Sequence, residues 1–500
     1  MPAHHGVALY VGLYPCEHSE AAAFAGALRM TGAPFSGLHA TTALLHGVLA
    51  VGVTVHVLLH RREASSSIAW IALAWLAPLT GALLYLLLGI NRVRRLATTL
   101  RGSALVRPCR GSSNPPVRHD ALEPLNLAGQ RITGRGIAPG NAIQVLQNGD
   151  EAYPGMLAAI ETAQRSVGLA TYLFRDDSTG RAFIDALSRA SARGVAVRVL
   201  IDGIGGGYFR SCAYRRLRRA GVPTARFMHS PLPWRMPFLN LRNHSKLLCV
   251  DGQTAFIGGL NIGAENIVHS EPPRPVIDTH FRVQGPVVAQ LVEVFLDDWC
   301  FSTGESLAGQ PWYPALAAYG DSTARVVTSG PDQDIGKLEY LILEAIGCAR
   351  NSVRIMTPYF LPDERVITTL ALAAIRGVQV DLILPQHSNH RVLDWAARAH
   401  LSPLIAAGCR VWTHPPPFDH SKLMTVDGSW CLIGSANWDA RSFRLNFETD
   451  LEVQDFELAS RLDALMLGRQ RELICASRLD ARRLPEVLRD SAARLLLPYI

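Results

Sequence analysis

Two long apolar runs near the start of the chain dominate its hydrophobic pattern. Residues 40–59 and 68–90 contain no formally charged residue, and their lengths of 20 and 23 residues suit helices that cross a bilayer. A buried core helix is the alternative, and it is stronger for the first run because that run contains His46 and His56. The pattern predicts a two-helix transmembrane hairpin within residues 38–92, after an N-terminal extension at 1–37.

From residue 143 onward the pattern changes to short β-branched runs that alternate with helical stretches, and the order of these segments is repeated. LATYLF (169–174) precedes a helical stretch and VAVRVLID (195–202), and IMTPYFLPDE (355–364) precedes a helical stretch and VQVDLILP (378–385). This repeat predicts an α/β fold with two duplicated domains packed face to face, at 143–320 and 321–500. The Gly-, Pro- and Ser-rich residues 93–142 predict a linker between the hairpin and the first domain.

Each half later contains the same motif, in NHSKLLCVDGQTAFIGGLNIGAEN (243–266) and in DHSKLMTVDGSWCLIGSANWDARS (419–442). Only three of the 49 basic residues are lysines, and two of these three occupy the same motif position. The intact spacing therefore indicates a functional repeat. The motif residues are His244, Lys246, Asp251 and Asn261 in the first copy, and His420, Lys422, Asp427, Ser435 and Asn437 in the second.

The alternation of side chains along a strand predicts that the histidine and the lysine of each motif project from one face. An imidazole beside a cation and amide donors suits a phosphate diester, because these groups stabilise negative charge on the non-bridging oxygens. We therefore expect Asn261, Ser435 and Asn437 to bind substrate phosphate. Asp251 and Asp427 lie on the opposite face and each begins a V-D-G turn, so the geometry gives them a structural role.

Two such half-sites supply the two histidines that a double displacement requires. One attacks phosphorus as a neutral nucleophile, and the other donates its proton to the leaving alkoxide. A carboxylate is expected to orient each ring: Asp278, 34 residues after His244, and Glu448, 28 residues after His420. No metal is expected, because a lysine beside each ring repels a divalent ion and no acidic cluster with ligand spacing accompanies the motif.

Composition and charge narrow the classes further. The net charge of +7 is mild for 500 residues, so it favours anionic partners without the dense basic face typical of nucleic-acid binding. Nine cysteines without a C-x-x-C pair indicate neither a disulfide framework nor a zinc site, and favour free thiols in a reducing compartment. A content of 48% hydrophobic and 18% charged residues excludes a disordered chain.

The segments HSKLLCVD and HSKLMTVD resemble the paired H-x-K-x4-D motifs of the phospholipase D superfamily. From about residue 40 onward the chain is similar to bacterial cardiolipin synthases, through AWIALAWLAPLTGALLYLLLGINR, TPYFLPDE and GSANWDARSFRLNFE. The resemblance implies a phosphatidyl transfer from one phosphatidylglycerol to another, with release of glycerol and without metal or cofactor. It implies that His244 forms a phosphatidyl-histidine, and that His420 protonates glycerol and then deprotonates the second lipid.

The family pattern also bears on three further positions of the motif. It includes Asp251 and Asp427, which therefore stay in the expected catalytic set beside their structural role. Gly259 stands in the first copy where the second has Ser435, so the first half lacks that hydroxyl.

Other activities remain open for the same motif. A phospholipase D-type hydrolase, or a transphosphatidylase that uses another lipid such as phosphatidylethanolamine, passes through the same intermediate. A nuclease fits less well because the hairpin places the site at a lipid surface, and a non-enzymatic scaffold would be expected to lose one motif. The expected partners are phosphatidylglycerol and the membrane, not nucleic acid, and the oligomeric state is left open.

Charge next to the hairpin predicts its orientation. Four arginines between residues 92 and 101 follow the second run without an acid, so we expect a multi-pass protein of the bacterial inner membrane with a cytoplasmic catalytic body. The segment HSPLPWRMPFL (229–239) is either an ordinary loop or a membrane-dipping lip that uses Trp234 and Phe238.

Overall fold

A computed structural model of the chain describes residues 37–59, 64–86, 122–229, 241–307, 309 and 311–495. The chain divides into two compact units, Met1–Asn91 and Arg92–Ile500, and each is described by itself. Four expectations fall outside the described residues: the extension before residue 37, the linker at 93–121, the end of the second apolar run at 87–90, and the 230–239 part of the lip segment.

Among the described residues of the first unit, one helix is long and apolar enough to cross a membrane. The helices of this unit are α1 (Gly37–Leu59), α2 (Ala64–Leu76) and α3 (Pro78–Leu84). Within α1, Thr41–Leu59 is a largely apolar stretch of 19 residues, close to the roughly 20 that a bilayer core requires.

The second apolar run does not form the single long helix that its sequence predicts. Helix α2 ends at Leu76 and α3 begins at Pro78, because proline lacks an N–H and disfavours helical angles in the residue before it. Ala77 accordingly has φ −141° and ψ 73°. The 13 residues of α2 extend about 20 Å, which is shorter than a bilayer core. The prediction of one continuous helix over 68–90 is therefore wrong in its described part.

The helices of the first unit pack through a small apolar core. Its buried residues are Val53, Val57, Ala74, Ala82 and Tyr85. Trp75 donates a hydrogen bond from Nε1 to Thr54 Oγ1 at 3.1 Å, which joins α2 to α1.

The first half of the second unit is an α/β domain in which parallel strands are extended by an antiparallel hairpin. Its strands are β1 (Ala138–Gln147), β2 (Ser166–Thr171), β3 (Ala196–Asp202), β4 (Thr224–Phe227), β5 (Arg242–Asn243), β6 (Leu247–Val250), β7 (Thr254–Gly258), β8 (Val276–Ile277) and β9 (Thr279–Gln284). Its helices are α4 (Glu123–Thr133), α5 (Asn148–Thr162), α6 (Ser178–Ala192), α7 (Cys212–Arg219) and α8 (Val288–Thr303), with 3₁₀ turns at Ala264–Asn266 and Val268–Ser270. Strands β2, β3 and β4 are parallel, and the hairpin of β6 and β7 continues the sheet antiparallel to β2.

The second half repeats this order. Its strands are β10 (Ser322–Ser329), β11 (Ser352–Met356), β12 (Phe360–Leu361), β13 (Gln379–Pro385), β14 (Arg410–His414), β15 (Phe418–Asp419), β16 (Leu423–Val426), β17 (Trp430–Gly434), β18 (Trp438–Asp439), β19 (Asn446–Gln454) and β20 (Glu472–Leu473). Its helices are α9 (Lys337–Cys348), α10 (Glu364–Ile375), α11 (Arg391–Ala406), α12 (Ala440–Arg444), α13 (Phe456–Arg469), α14 (Ala476–Asp480) and α15 (Leu484–Leu495). Strands β11, β13 and β14 are parallel, and the hairpin of β16 and β17 occupies the place of β6 and β7.

The two halves share one sheet and one central core. The sheet runs in the order β20-β14-β13-β11-β16-β17-β19-β10-β1-β9-β7-β6-β2-β3-β4, and the halves join where β1 pairs antiparallel with β10. The central core takes residues from both half-sheets and from α8 and α13, for example Ile257 and Phe281 with Ile433 and Leu451. Each half also has a core of its own beneath its outer helices. The expected duplicated α/β architecture is confirmed.

The last part of the expected linker is folded. Helix α4 packs against α9 and β10 and buries Leu125 in the core of the second half, and β1 begins at Ala138. At Gly129 an added Cβ would lie 1.9 Å from Nη2 of Arg325, whose guanidinium forms a buried ion pair with Glu452. The linker prediction for 93–142 is therefore wrong for its final segment, because these residues bury apolar side chains.

Candidate active site

Each motif histidine follows a short strand that pairs with the opposite half. Strand β5 pairs in parallel with the start of β19, and β15 pairs in parallel with β8. The backbone N–H of His244 donates to the carbonyl of Phe447 at 2.9 Å. In the other half-site, the N–H of His420 donates to the carbonyl of Ile277 at 2.7 Å. Each histidine is thus attached to the strand that leads into the carboxylate of the other half.

The carboxylates pair with the histidines across the halves. Nδ1 of His244 lies 3.0 Å from Oε2 of Glu448, and Nδ1 of His420 lies 2.8 Å from Oδ2 of Asp278. The sequence spacing associated each carboxylate with the histidine of its own half, and the structure exchanges them. The exchange follows from the strand pairing, because β5 and β15 carry each histidine across to the other half.

Two pairs of hydroxyl groups join the halves beside the histidines. Ser245 Oγ lies 2.8 Å from Thr449 Oγ1, and Ser421 Oγ lies 2.9 Å from Thr279 Oγ1. All four side chains are buried. Sequence reasoning missed these contacts, although the serine follows the histidine and the threonine follows the carboxylate in both copies.

The motif lysines are buried beside the histidines. Lys246 Nζ donates to the backbone carbonyl of His244 at 2.5 Å, and Lys422 Nζ donates to that of His420. Burial lowers the pKa of Lys246 to about 7 and that of Lys422 to about 8. An anion bound here would favour the charged form of both amines, because an opposite charge raises the pKa of an ammonium group.

Aromatic rings complete both half-sites. The ring of Tyr172 packs edge-on against His244 at 5.0 Å between centroids, and Lys246 Nζ lies 5.5 Å from the same ring. In the other half-site, Tyr359 and Phe418 lie 6.4 and 5.9 Å from His420. The segments TYLF and TPYF helped to identify the repeat, but the sequence did not predict that either tyrosine lies in the site.

The two carboxyl groups differ in their charge. Burial alone would raise the pKa of Glu448, but His244, Lys246 and Ser435 hold it below the usual range. Burial raises the pKa of Asp278 to about 7, against the opposing effect of Lys422. Near neutral pH, Glu448 is therefore ionised whereas a large fraction of Asp278 is protonated.

The hydrogen bonds of the two carboxyl groups explain part of this difference. Glu448 Oε2 accepts from Ser435 Oγ at 2.7 Å, and its Oε1 accepts from Asn446 Nδ2 at 3.1 Å. Asp278 Oδ1 accepts from the backbone N–H of Thr279 at 2.8 Å. Two side-chain donors besides the histidine therefore stabilise the ionised form of Glu448.

Both histidines are held neutral by burial. Burial lowers the pKa of His244, with a further contribution from Lys246, while Glu448 opposes the change. Burial lowers the pKa of His420 well below its usual value, and Lys422 and Lys246 lower it further. A neutral imidazole is the form that attacks phosphorus.

Ser435 does not have the role expected from the sequence. Its side chain is fully buried, its hydroxyl donates to Glu448, and the backbone N–H of Thr449 donates to it at 3.1 Å. At the equivalent Gly259 an added Cβ would lie 2.1 Å from Asp278 Oδ1. The expected phosphate contact at Ser435 is therefore corrected to a contact that positions a carboxylate, and Gly259 is required by the close approach of Asp278.

The two motif asparagines have different surroundings. Asn261 Oδ1 accepts from the backbone N–H of Leu173 at 3.2 Å, which fixes the orientation of its amide. The backbone N–H of Asn437 donates to Ser442 Oγ at 3.2 Å, and its buried Oδ1 has no partner among the described residues. The phosphate contacts expected from these amides stay a prediction.

Asp251 and Asp427 lie away from the histidines. The carboxylate of Asp251 accepts from the backbone N–H groups of residues 164–166, and that of Asp427 from those of residues 350–352. A strand separates each aspartate from the histidine of its motif, and the two residues are about 20 Å apart along the extended chain. Their expected catalytic role is therefore corrected to a structural one, because these bonds fix the starts of β2 and β11.

A cavity of about 310 Å³ lies next to the second half-site. Tyr359 lines it together with side chains of α11, β20 and α15, including Leu393, Glu472 and Arg489. Neither motif histidine lines this cavity, so its walls are separate from the paired imidazoles.

No metal centre or disulfide is visible in the described part of the chain. There, no group of three or more His, Cys, Asp or Glu side chains is arranged to hold a metal ion. The seven described cysteines are all free thiols.

Comparison with known proteins identifies relatives along most of the chain. The family model "Cardiolipin synthase, PLD-like domain" matches residues 156–299 and 342–468, and the model "Phospholipase_D-nuclease N-terminal" matches residues 48–89. The chain is 30% identical over 432 residues to cardiolipin synthase 1 of Bacillus anthracis, covering 83% of this chain and 84% of that protein. It is 33% identical over 469 residues to cardiolipin synthase A of Pseudomonas syringae pv. syringae, covering 91% and 96%.

A solved structure shows the same fold at low sequence identity. The crystal structure of phosphatidylserine synthase from Haemophilus influenzae Rd KW20 superposes with a TM-score of 0.59 and 14% identity, covering 76% of this chain and all of that chain. The two stretches that match the synthase domain model contain both histidines and both carboxylates described above.

Proposed function

Because the chain belongs to the bacterial cardiolipin synthases of the phospholipase D superfamily, and is a phosphatidyltransferase, we propose that it transfers a phosphatidyl group between two phosphatidylglycerol molecules. The products are cardiolipin and glycerol. One observation carries the proposal: two motif histidines, each paired with a carboxyl group of the other half, lie close to each other and to two buried lysines.

The unequal carboxyl groups give the two imidazoles different tautomers. An ionised Glu448 only accepts, so His244 donates its Nδ1–H and leaves a lone pair on Nε2. A protonated Asp278 donates to Nδ1 of His420, so this ring carries its proton on Nε2. One half-site therefore presents a nucleophile and the other an N–H donor.

The transfer follows from this arrangement in two displacements. The lone pair on Nε2 of His244 forms the N–P bond while the bond from phosphorus to the glycerol oxygen breaks, and that oxygen takes the Nε2 proton of His420. Asp278 then transfers its proton to Nδ1 of His420, so the ring stays neutral and its lone pair now lies on Nε2. In the second step Nε2 of His420 accepts the proton of the incoming lipid hydroxyl, whose oxygen displaces His244 from phosphorus. Nδ1 of His420 returns its proton to Asp278, which restores the starting state.

The lysines stabilise the negative charge that develops during both displacements. Lys246 and Lys422 are compact ammonium groups in a site from which water is largely excluded, where fixed charges act strongly. Amide donors from Asn261 and Asn437 extend this set toward the non-bridging oxygens. The proposed catalytic and binding set is therefore the two histidines, the two lysines, the two carboxyl groups and these amides.

We further propose that the enzyme acts at the bacterial inner membrane. The support is α1, which is long enough to span a bilayer, and the apolar α2 and α3, which pack against it. The arginines after the second run favour a cytoplasmic catalytic unit. Two α/β domains, with a boundary near residue 320, carry the half-sites.

A lipid assay on the purified full-length chain tests the proposed function. With labelled phosphatidylglycerol as the sole lipid substrate, we expect cardiolipin and glycerol in equal amounts, unaffected by a metal chelator. His244→Ala and His420→Ala should each abolish the product. Phosphatidic acid as the main product would show a hydrolase instead, and no turnover of the wild-type chain would overturn the proposal.

A further inference from the structure

A rigid loop beside the first half-site exposes a phenylalanine to solvent. Phe209 follows the glycine-rich residues 203–207 that connect β3 to α7, and 82% of its surface is exposed. Such a ring would gain free energy if a partner removed its apolar surface from water.

A half-buried arginine and a buried aspartate hold this loop in place. The Arg226 guanidinium donates from Nη2 to the carbonyls of Gly203 and Gly207 at 2.7 Å and of Tyr208 at 3.0 Å. Asp202 Oδ1 accepts from two backbone N–H groups at the start of the loop, at 2.9 and 2.7 Å. The exposure of Phe209 therefore belongs to a fixed conformation of the loop.

The same contacts connect the loop to the active site. Asp202 Oδ2 accepts from the backbone N–H of Asn243, the residue before His244, at 2.8 Å. At Gly205 an added Cβ would lie 2.5 Å from the ring of Tyr172, which packs against His244. The loop thus forms one wall of the first half-site.

Exposed arginines follow the exposed ring along the chain, one at position 210 and the others on helix α7. Helix α7 buries Ala213 and Leu217 and turns its arginines outward. Arg216 pairs with Asp176 at 2.8 Å, whereas the others have no ion pair among the described residues. Like charges one helical turn apart repel one another, so an anionic partner relieves a cost that the free protein bears. The surface consists of Phe209, Arg210, Arg215, Arg218 and Arg219, and is called the Phe209 surface below.

We propose that the Phe209 surface docks on an anionic phospholipid bilayer, with the ring inserted among the acyl chains and the arginines against the lipid phosphates. Charge complementarity supports this occupant, because arginines near an anionic leaflet add binding energy one by one and a single aromatic ring adds apolar contact. Docking there places the wall of the first half-site at the lipid surface. The inference goes beyond the proposed transfer and needs a bilayer, but not the reaction.

The test uses the full-length Phe209→Cys variant in nanodiscs, with an environment-sensitive fluorophore attached at that position. The background replaces with serine every cysteine except the buried Cys249, Cys409 and Cys431. Phe456→Cys is the matched control, because Phe456 is also an exposed phenylalanine, at 73%. Quenching by lipids with brominated acyl chains reports insertion without any need for turnover.

In nanodiscs that contain phosphatidylglycerol, we expect strong quenching of the probe at 209 and little at 456. Combined Arg215→Gln, Arg218→Gln and Arg219→Gln should weaken the docking equilibrium about a hundredfold, since each arginine near an anionic surface contributes roughly fivefold. Equal quenching at both positions, or none at 209, would overturn the inference. The inference would also be overturned if a single-stranded oligonucleotide, but not lipid, changed the emission of the probe at 209. That result would indicate a nucleic-acid surface.

Discussion

The two half-sites share one backbone plan but differ in the state of their carboxyl groups. In both, a short exchanged strand brings a histidine to the carboxyl group of the opposite half. Glu448 receives hydrogen bonds from Ser435 and Asn446 and keeps its pKa low. Asp278 faces a glycine at the position equivalent to Ser435, and burial raises its pKa to about 7.

This difference shows how a duplicated fold can assign two roles to one residue type. A double displacement needs one imidazole with a free lone pair and one with a proton to give. The motif alone is the same in both halves, so it does not assign these roles. The carboxyl group paired with each ring assigns the two roles, and His244 becomes the nucleophile because its partner, Glu448, is ionised.

Replacement of each carboxyl group by an amide should have the largest effect on kcat, and the effect should differ between the two half-sites. Glu448→Gln should lower kcat roughly a thousandfold or more, because an amide can donate to Nδ1 and place the proton on Nε2 of His244. Asp278→Asn should lower kcat only about tenfold to a hundredfold, because its amide still donates to Nδ1 of His420 but supplies no proton. Initial rates of cardiolipin formation measure both effects. Equal losses, or the reverse order, would contradict unequal half-sites.

Substitution of the motif lysines tests whether both half-sites need a compact cation. Lys246→Arg and Lys422→Arg should each lower kcat/KM about tenfold to a hundredfold, because a planar guanidinium does not fit the buried position of an ammonium. Lys337→Arg is the matched control. Lys337 is partly exposed and forms an ion pair with Asp334 at 2.6 Å, which an arginine can keep. Near-normal activity of both motif variants would show that the lysines are retained by chance.

Ser435 and Gly259 occupy equivalent positions in the two half-sites, so substitutions there test directly how the half-sites differ. Ser435→Ala should lower activity about threefold to tenfold and move the acid limb of the rate profile to higher pH, because loss of this donor raises the pKa of Glu448. Gly259→Ser should fail in a different way, since its Cβ would displace Asp278 and lower the melting temperature. Rate profiles that extend below pH 4, together with thermal melting in detergent, separate the two effects, because the pKa of Glu448 lies below its usual range. An unshifted profile for Ser435→Ala would show that the hydroxyl does not control Glu448.

The smallest effect is expected at a buried position that differs between the two halves and takes no part in the reaction. His280 occupies the position equivalent to Asp450, and neither of its ring nitrogens has a partner among the described residues. Burial lowers the pKa of His280 to about 3, so the unfolded chain binds its proton first as the pH falls below about 6.5.

This linkage predicts that stability is lost on the acid side of neutrality, by roughly 1 kcal/mol per pH unit from this group. His280→Asn should flatten the fall in melting temperature between pH 6.5 and 5, even if it lowers the value at pH 7.5. The variant would contradict this account if its melting temperature followed the same slope as that of the wild-type chain.

Most of the reacting groups were predictable from the sequence because the repeat marks them twice. His244 and His420 with their lysines follow from the duplicated spacing, and Asp278 and Glu448 from their place after each motif. Their cross-pairing was not predictable, since it depends on short strands that pair residues 204 positions apart. The same limit hid the tyrosines, whose contacts with the histidines arise only when the sheet is formed.

The errors at the N-terminal side have local physical causes. The second apolar run contains Pro78, which breaks the helix. The prediction relied on the hydrophobicity of the run and took no account of this proline. The end of the linker is rich in glycine, and one of these glycines lets α4 approach the buried Arg325. Composition indicated a flexible tether there, whereas packing against the second half makes a helix.

The location of the phosphatidyl group during turnover tests the central claim most directly. The full-length enzyme is mixed rapidly with phosphatidylglycerol that carries labelled phosphorus, quenched in alkaline denaturant, and digested so that the labelled peptide can be identified. The account predicts label on the peptide that contains His244, at early times and before cardiolipin accumulates. Label on the His420 peptide, or equal label on both, would contradict it.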